Sequence, residues 1–204
     1  MAGQLSGELL ELPAYQLVRR QRILDAAKSL LRKNDYESIQ IRDVAAEANV
    51  ALGTLYRYFA SKEQVYANVV YDWAVPLAEA DQKWAQGIGT TERVARRLRM
   101  ALAAFERQPN FYKVIFVLRS TSDPNITVIM QRLGVVLEAP IRADLSLLDA
   151  EEAGDITAMV WCVLMDLVAR LAAGDKTMEE AVRIGDRFVS MVGLRLAQLE
   201  QSNS

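Results

Sequence analysis

The stretch from Gln40 to Lys62, QIRDVAAEANVALGTLYRYFASK, constrains this chain more than any other. It predicts two short helices joined by a tight turn and followed by an aromatic and basic patch. In the first, Ile41 to Ala48, the residues Val44, Ala45 and Ala48 fall on one face at the amphipathic spacing. Asn49 stops that helix, because Asn tolerates the left-handed backbone that ends helices. Val50 then tucks back into the core. The second helix, Leu52 to Tyr58, opens on small residues, which let a helix N-terminus approach a groove or a phosphate closely. This is the layout of a helix-turn-helix reading head for DNA.

Charge is distributed to match. From Ala14 to Lys62 there are nine Lys/Arg and five Asp/Glu, a net of +4, against −2 for all 204 residues, so the remainder carries −6. A basic head on an acidic body is the asymmetry expected of a chain that sets one end against DNA.

Other classes are thinned by what the composition lacks. No histidine occurs, which removes His-based acid/base chemistry and His metal ligands. No GxSxG, P-loop or nucleotide fingerprint is present. Neither an enzyme, a metal nor a cofactor is therefore expected. Cys162 is the one cysteine, so no disulfide framework is possible within one chain, which fits a cytoplasmic setting. Met1 to Pro13 lacks the basic start and continuous apolar core of a signal peptide. The longest apolar run, Ile156 to Val168, is broken by Asp166 and too short for a bilayer, so no membrane partner is expected.

With IRDVAAEANV before it, ALGTLYRYFASKEQVY closely resembles the tetracycline-repressor (TetR) family of bacterial transcriptional regulators. The matching elements are Val44-Ala45, Ala48-Asn49-Val50, Gly53-Thr54-Leu55-Tyr56-x-Tyr58-Phe59 and Ser61-Lys62-Glu63, with the preceding helix RRQRILDAAKSLLRKNDYESIQIRDVA. The resemblance covers roughly Leu17 to Leu77. Two positions depart from it. Asn49 stands where Gly is common, and Ala51 where Ser or Thr usually caps the recognition helix. An Ala cap costs about 1 kcal/mol and removes a hydroxyl that could reach phosphate. The resemblance implies that Tyr56 or its neighbours touch the DNA backbone and that Gly53 and Thr54 approach it closely. It also implies that the last two helices form a four-helix dimer seam.

The residues themselves support a DNA face. Tyr56 and Tyr58 flank Arg57, and a phenol can donate to phosphate while its ring packs on sugar or a thymine methyl. Lys62, at the first turn of the next helix, is placed for a phosphate clamp. Arg42 is read as a phosphate or base-edge contact, with Asp43 or Glu47 as alternative partners, and Gln40 as a further phosphate contact. Arg19, Arg20 and Arg22 make a basic start to the opening helix, reaching the backbone at most.

The whole chain reads as all-α, about nine helices, in three parts: a tail 1–13, a DNA-binding domain 14–77 and a ligand-binding and dimerisation body 78–204. Helices are expected at Ala14–Lys33, at the helix-turn-helix pair, and from Ser61 to about Gln86, with Gln64 closing a capping box and Pro76 a kink. Others follow at Thr91–Arg107, Phe111–Ser120, from Asp123-Pro124 and kinked or ended near Pro140, at Ala150–Ala173 capped by Asp149 and stopped by Gly174, and from Thr177 to about Leu199.

In the body, Phe111, Tyr112, Ile115 and Phe116 on one helix and Trp161, Cys162 and Met165 on another exceed what one helix face needs. They are read as an adaptable apolar pocket, with Arg119 facing a ligand, pairing with Asp166, or neither. Asp166 can also pair with Arg170. In the last helix Ala181, Gly185, Phe188, Val192 and Leu196 form one stripe with Ile184 beside it, an arrangement suited to a homodimer seam, and Gly185 with Gly193 would allow close approach. The expected function is a ligand-responsive transcriptional regulator, most often a repressor in this family. It would bind a pseudo-palindromic double-stranded operator as a homodimer and be released by an apolar small molecule. The alternatives are an activator, a ligand-blind regulator, or an all-α enzyme or lipid carrier.

Overall fold

In the computed structural model the described residues are 13–81 and 88–202. They form nine α-helices and a short 3-10 turn, with no strand among them. The helices are α1 (Ala14–Lys33), α2 (Ile41–Glu47), α3 (Leu52–Tyr56), α4 (Lys62–Asp81), α5 (Thr90–Arg107), α6 (Pro109–Arg119), α7 (Pro124–Asp144), α8 (Ala150–Ala173) and α9 (Met178–Ser202). The 3-10 turn, Tyr36–Ser38, links α1 to α2. The tail 1–12, and the segment Gln82 to Gly87 in which α4 was expected to end, lie outside the described residues.

Local chemistry accounts for most boundaries. Asp149 accepts from the amides of Glu151 and Glu152, capping α8, and Gly174 ends it at φ 77°. Thr177 and Glu180 bond each other's backbone amides, the capping box that starts α9. Ser61 accepts from the Gln64 amide at 3.1 Å, while the Gln64 side chain reaches back to the amide of Ala60, one residue earlier than a standard box. Pro76 and Pro140 both sit inside their helices without ending them.

Helices α1 to α3 pack around Ile23, Leu24, Ala27, Leu31, Val44, Leu55 and Phe59, all nearly or fully buried. This small core is closed by the first half of α4 through Val65, Tyr66 and Val69. The same helix continues into the body, where it lies along α7. Helix α5 lies along α9, and α8 packs against α5, α7 and α9. A second link joins head to body. The Asn110 side-chain amide at the start of α6 donates to the carbonyls of Leu31 (3.2 Å) and Asn34 (2.9 Å), at the end of α1. Lys113 adds an exposed ion pair to Asp35 at 3.2 Å, a contact worth little by itself.

Candidate nucleic-acid interface and internal cavity

The reading head is set by its turn. Asn49 has φ 51°, the lone non-glycine with positive φ among the described residues. The expectation of a left-handed stop at Asn49 is thus met by the backbone. Val50 then donates its amide to the Ala45 carbonyl at 3.0 Å, folding the chain back. Arg22 from α1 donates to the carbonyls of Ala48 (2.7 Å) and Asn49 (3.2 Å). It therefore satisfies orphan carbonyls at the end of α2 rather than projecting toward a ligand.

Helix α3 is shorter than its spacing predicts, ending at Tyr56. The amides of Tyr58 and Phe59 both bond the Leu55 carbonyl, tightening the chain so that Phe59 and Tyr58 turn back onto the core. Leu55 anchors α3 from within, while Leu52, Gly53, Tyr56 and Arg57 face outward. A Cβ added at Gly53 would meet nothing within 4 Å, so packing inside the protein does not require glycine there. Ala51 caps α3 with no side-chain hydrogen bond, as its methyl dictates. Gln40 is exposed, and its amide donates to Asp43 at 2.9 Å. Arg42 stands 72% exposed with a long 4.0 Å contact to Asp43. Thr54 is half-buried beside them.

Lys62 departs most from its expected place. Its ammonium donates to the Tyr36 carbonyl and sits 3.9 Å from the centroid of the Tyr36 ring. Burial lowers its pKa, opposed by Glu63 and Glu37. In this structure Lys62 ties α4 to the 3-10 turn, and a role toward phosphate would have to be shared with that tie. Arg20 is likewise turned inward, donating to Asn68 at 2.6 Å over the Phe59 ring.

The body encloses a cavity of about 190 Å³. Tyr112 and Ile115 of α6 and Trp161 and Met165 of α8 line it, as their residue types suggested. Four other expected residues do not. Phe111 is fully buried behind Trp73, ring centroids 4.9 Å apart. Phe116 is half-buried in the core packing, and Arg119 and Cys162 are on the outside. Asp166 is also exposed and pairs with Arg170 at 2.7 Å. The walls missed by sequence reasoning are Trp73, Ala74 and Ala78 of α4, the Arg97–Arg107 face of α5, and Leu137, Pro140 and Ile141 of α7. The available signal was the run of small residues at Ala101 and Ala104 facing Ala74 and Ala78, since cavities open where facing side chains are short.

The expected dimer stripe is divided by the structure. Ala181 is fully buried within the chain, and a Cβ on Gly185 would lie 2.3 Å from Leu98 of α5. Gly193 is similarly close to Thr91, at 2.6 Å. These glycines serve the α5–α9 contact inside one chain, not an approach between chains. Ile184, Phe188 and Val192 are half-buried, and the side chain of Leu196 lies outside the described residues. Met191 (67% exposed), Leu194 (70%) and, on α8, Met159 (55%) are the exposed large apolar side chains of these two helices among the described residues.

A short anchored helix with a bare glycine and outward Tyr and Arg, set behind a stabilised turn, defines a helix-turn-helix protein. Residues 23–69 match the family model described as bacterial regulatory proteins, tetR family. That match covers the reading head, and the described residues around it are all-helical. It is 60% identical over 47 residues to the HTH-type transcriptional repressor KstR of Rhodococcus jostii, a stretch covering 23% of this chain and 22% of that one. The chain thus aligns with less than a quarter of that repressor's length. The fold resembles the crystal structure of a TetR transcriptional regulator from Rhodococcus sp. RHA1, with TM-score 0.69 and 20% identity over 88% of this chain and 98% of that one. It also resembles the transcriptional regulator FadR from Bacillus subtilis in complex with stearoyl-CoA, with TM-score 0.67 and 17% identity over 84% and 96%.

Proposed function

We propose that this protein is a transcriptional regulator that binds a pseudo-palindromic operator as a homodimer and lets go when a small molecule fills its cavity. The observation that carries the reading is the outward face of α3. Leu55 and Phe59 hold the helix from behind while Gly53, Tyr56 and Arg57 are presented bare. Gly53 lets backbone approach a groove, and Tyr56, Arg57, Gln40 and Arg42 supply donors for phosphates and base edges. Thr54 and Tyr58 flank this face, and Lys62 fixes the turn that supports it.

Two chains would join through α8 and α9. Helix α8 is long and apolar enough by composition to cross a bilayer, yet only 28% of its most apolar window is buried in one chain. A second α8–α9 pair would cover Met159, Met191, Leu194 and Phe188, giving the surface a partner without a membrane. A two-fold seam of this kind sets two α3 helices about one DNA turn, roughly 34–36 Å, apart in the bound state.

The cavity is wired to the head by two helices. Trp73, Ala74 and Ala78 on α4, and Tyr112 and Ile115 on α6, line it. Helix α4 runs on into the head, and Asn110 of α6 holds the end of α1. A ligand that widens the space between α4 and α5 would bias both connections together, which is what coupling between two sites requires. The stearoyl-CoA held by the FadR structure supports an extended apolar effector.

The experiment is selection of bound fragments from a genomic DNA library at low salt, followed by titration. Affinity for the selected site should fall steeply between ~50 and ~200 mM salt, as release of counterions from several phosphates demands. Arg57→Ala should weaken binding. No selected sequence at low salt would end the DNA reading.

A further inference from the structure

The lining of the cavity carries a polarity that composition alone does not suggest. On α5 the lining residues are Arg97, Leu98, Met100, Ala101, Ala104 and Arg107. Ten residues of helix separate the two arginines, about 15 Å along the axis. Between them the α5 wall is apolar, and Ala101 and Ala104 share the lining of this slot with Ala74 and Ala78 of α4. Among the described residues, no carboxylate belongs to the lining. The one phenol, Tyr112, spends its hydroxyl on the Ala101 carbonyl at 3.0 Å, so its ring is what the slot meets.

The two ends of the slot differ. Arg97 is nearly buried and held at 2.6 Å by Asp144, which also takes Arg93 at 2.8 Å. An acid group there would have to compete with a buried carboxylate already in place, against the desolvation of its own charge. Arg107 is exposed and makes no ion pair among the described residues. A charged group at Arg107 keeps part of its water, and a guanidinium offers it a two-pronged hydrogen bond.

We propose that the cavity takes an amphipathic anion, with an extended apolar body between α4 and α5 and an acid head, carboxylate or phosphate, held at Arg107. This rests on the effector-sensing reading above. The net negative charge of the body does not oppose it, because the charged groups that line the slot among the described residues are both cations.

The test uses the full chain and four probes with the same tail: dodecanoate, dodecyl phosphate, dodecanol and dodecylamine. Trp73 and Trp161 both line the cavity, so intrinsic fluorescence reports binding. At least one of the two anions should bind about tenfold more tightly than dodecanol, the margin of one charge-assisted contact at a wet rim. Dodecylamine should bind more weakly than dodecanol. Which anion is tighter identifies the head group. Arg107→Ala should bring the anion down to the alcohol's affinity, and Arg107→Lys should restore part of the margin. Equal affinity for alcohol and anions, or a margin that survives Arg107→Ala, overturns the acid head and leaves effector sensing standing. If none of the four probes binds, both proposals fall.

Discussion

Replacing Asp144 with Asn is the sharpest test of how the body is held together. Asp144 has a side chain only 7% exposed and accepts from two guanidiniums, Arg93 Nε at 2.8 Å and Arg97 Nε at 2.6 Å. It joins the end of α7 to the first half of α5, beside the cavity. Asn keeps the shape and one acceptor but removes the charge, so no void opens. What remains is two neighbouring cations, one of them 10% exposed, without their shared counter-ion. Breaking a buried pair from one side costs about 3–5 kcal/mol. For a chain of this size that lowers the melting temperature by roughly 6–20 °C. The assay is thermal unfolding by circular dichroism at fixed protein concentration, since a dimer's midpoint moves with concentration. Arg97→Met provides the control. In the Asp144→Asn background Arg97 has already lost its Asp144 contact, so removing its charge there should cost less than in the unaltered protein, and the double variant costs less than the sum of the singles. Arg93, 22% exposed, can turn to water. A loss below about 1 kcal/mol for Asp144→Asn, or strict additivity in the pair, would refute the uncompensated-charge argument.

Four further outcomes are expected. Lys62→Ala should lower the melting temperature of the protein, because Lys62 bonds the Tyr36 carbonyl and covers its ring. Arg57→Ala should leave the melting point unchanged and reduce the salt slope of DNA binding by about one. Met191→Glu or Leu194→Glu should give monomers in sedimentation at micromolar concentration, since both side chains are more than half exposed on the free apolar face of α9; a dimer unaffected by both would place the seam elsewhere. Stability should also fall in alkali: burial pushes Tyr112 from 10.0 up to about 12 and raises Tyr66 and Tyr36 in the same direction. The folded chain then keeps phenol protons that the unfolded chain releases, so stability is complete below pH 10 and is lost as pH rises toward 12. Denaturant midpoints measured across that range check the sign. Lys62, with its lowered pKa, works the other way but is one partly exposed group.

The head was legible in the sequence because its signals are local. A left-handed stop at Asn49 and an amphipathic α2 depend on residues within a turn or so of each other, as do the Thr177–Glu180 and Asp149 caps of the body. Short-range sterics and hydrogen bonds decide them before any tertiary contact forms. The nine helices among the described residues followed from apolar periodicity together with such capping and breaking residues. What the sequence left open was rotation: which side of an apolar helix meets which neighbour. Helix α8 is apolar nearly all round, so periodicity could not tell that Trp161 and Met165 face the cavity while Cys162 faces out. Gly185 lies on a stripe that suits either a partner chain or α5, and only the 2.3 Å approach of Leu98 assigns it to α5. Lys62 has the position of a phosphate clamp, and it is the Tyr36 carbonyl and ring, supplied from 26 residues away, that draw it inward. The cavity itself belongs wholly to the tertiary structure. Its lining is drawn from α4, α5, α6, α7 and α8, and no stretch of any one helix alone carries that fact.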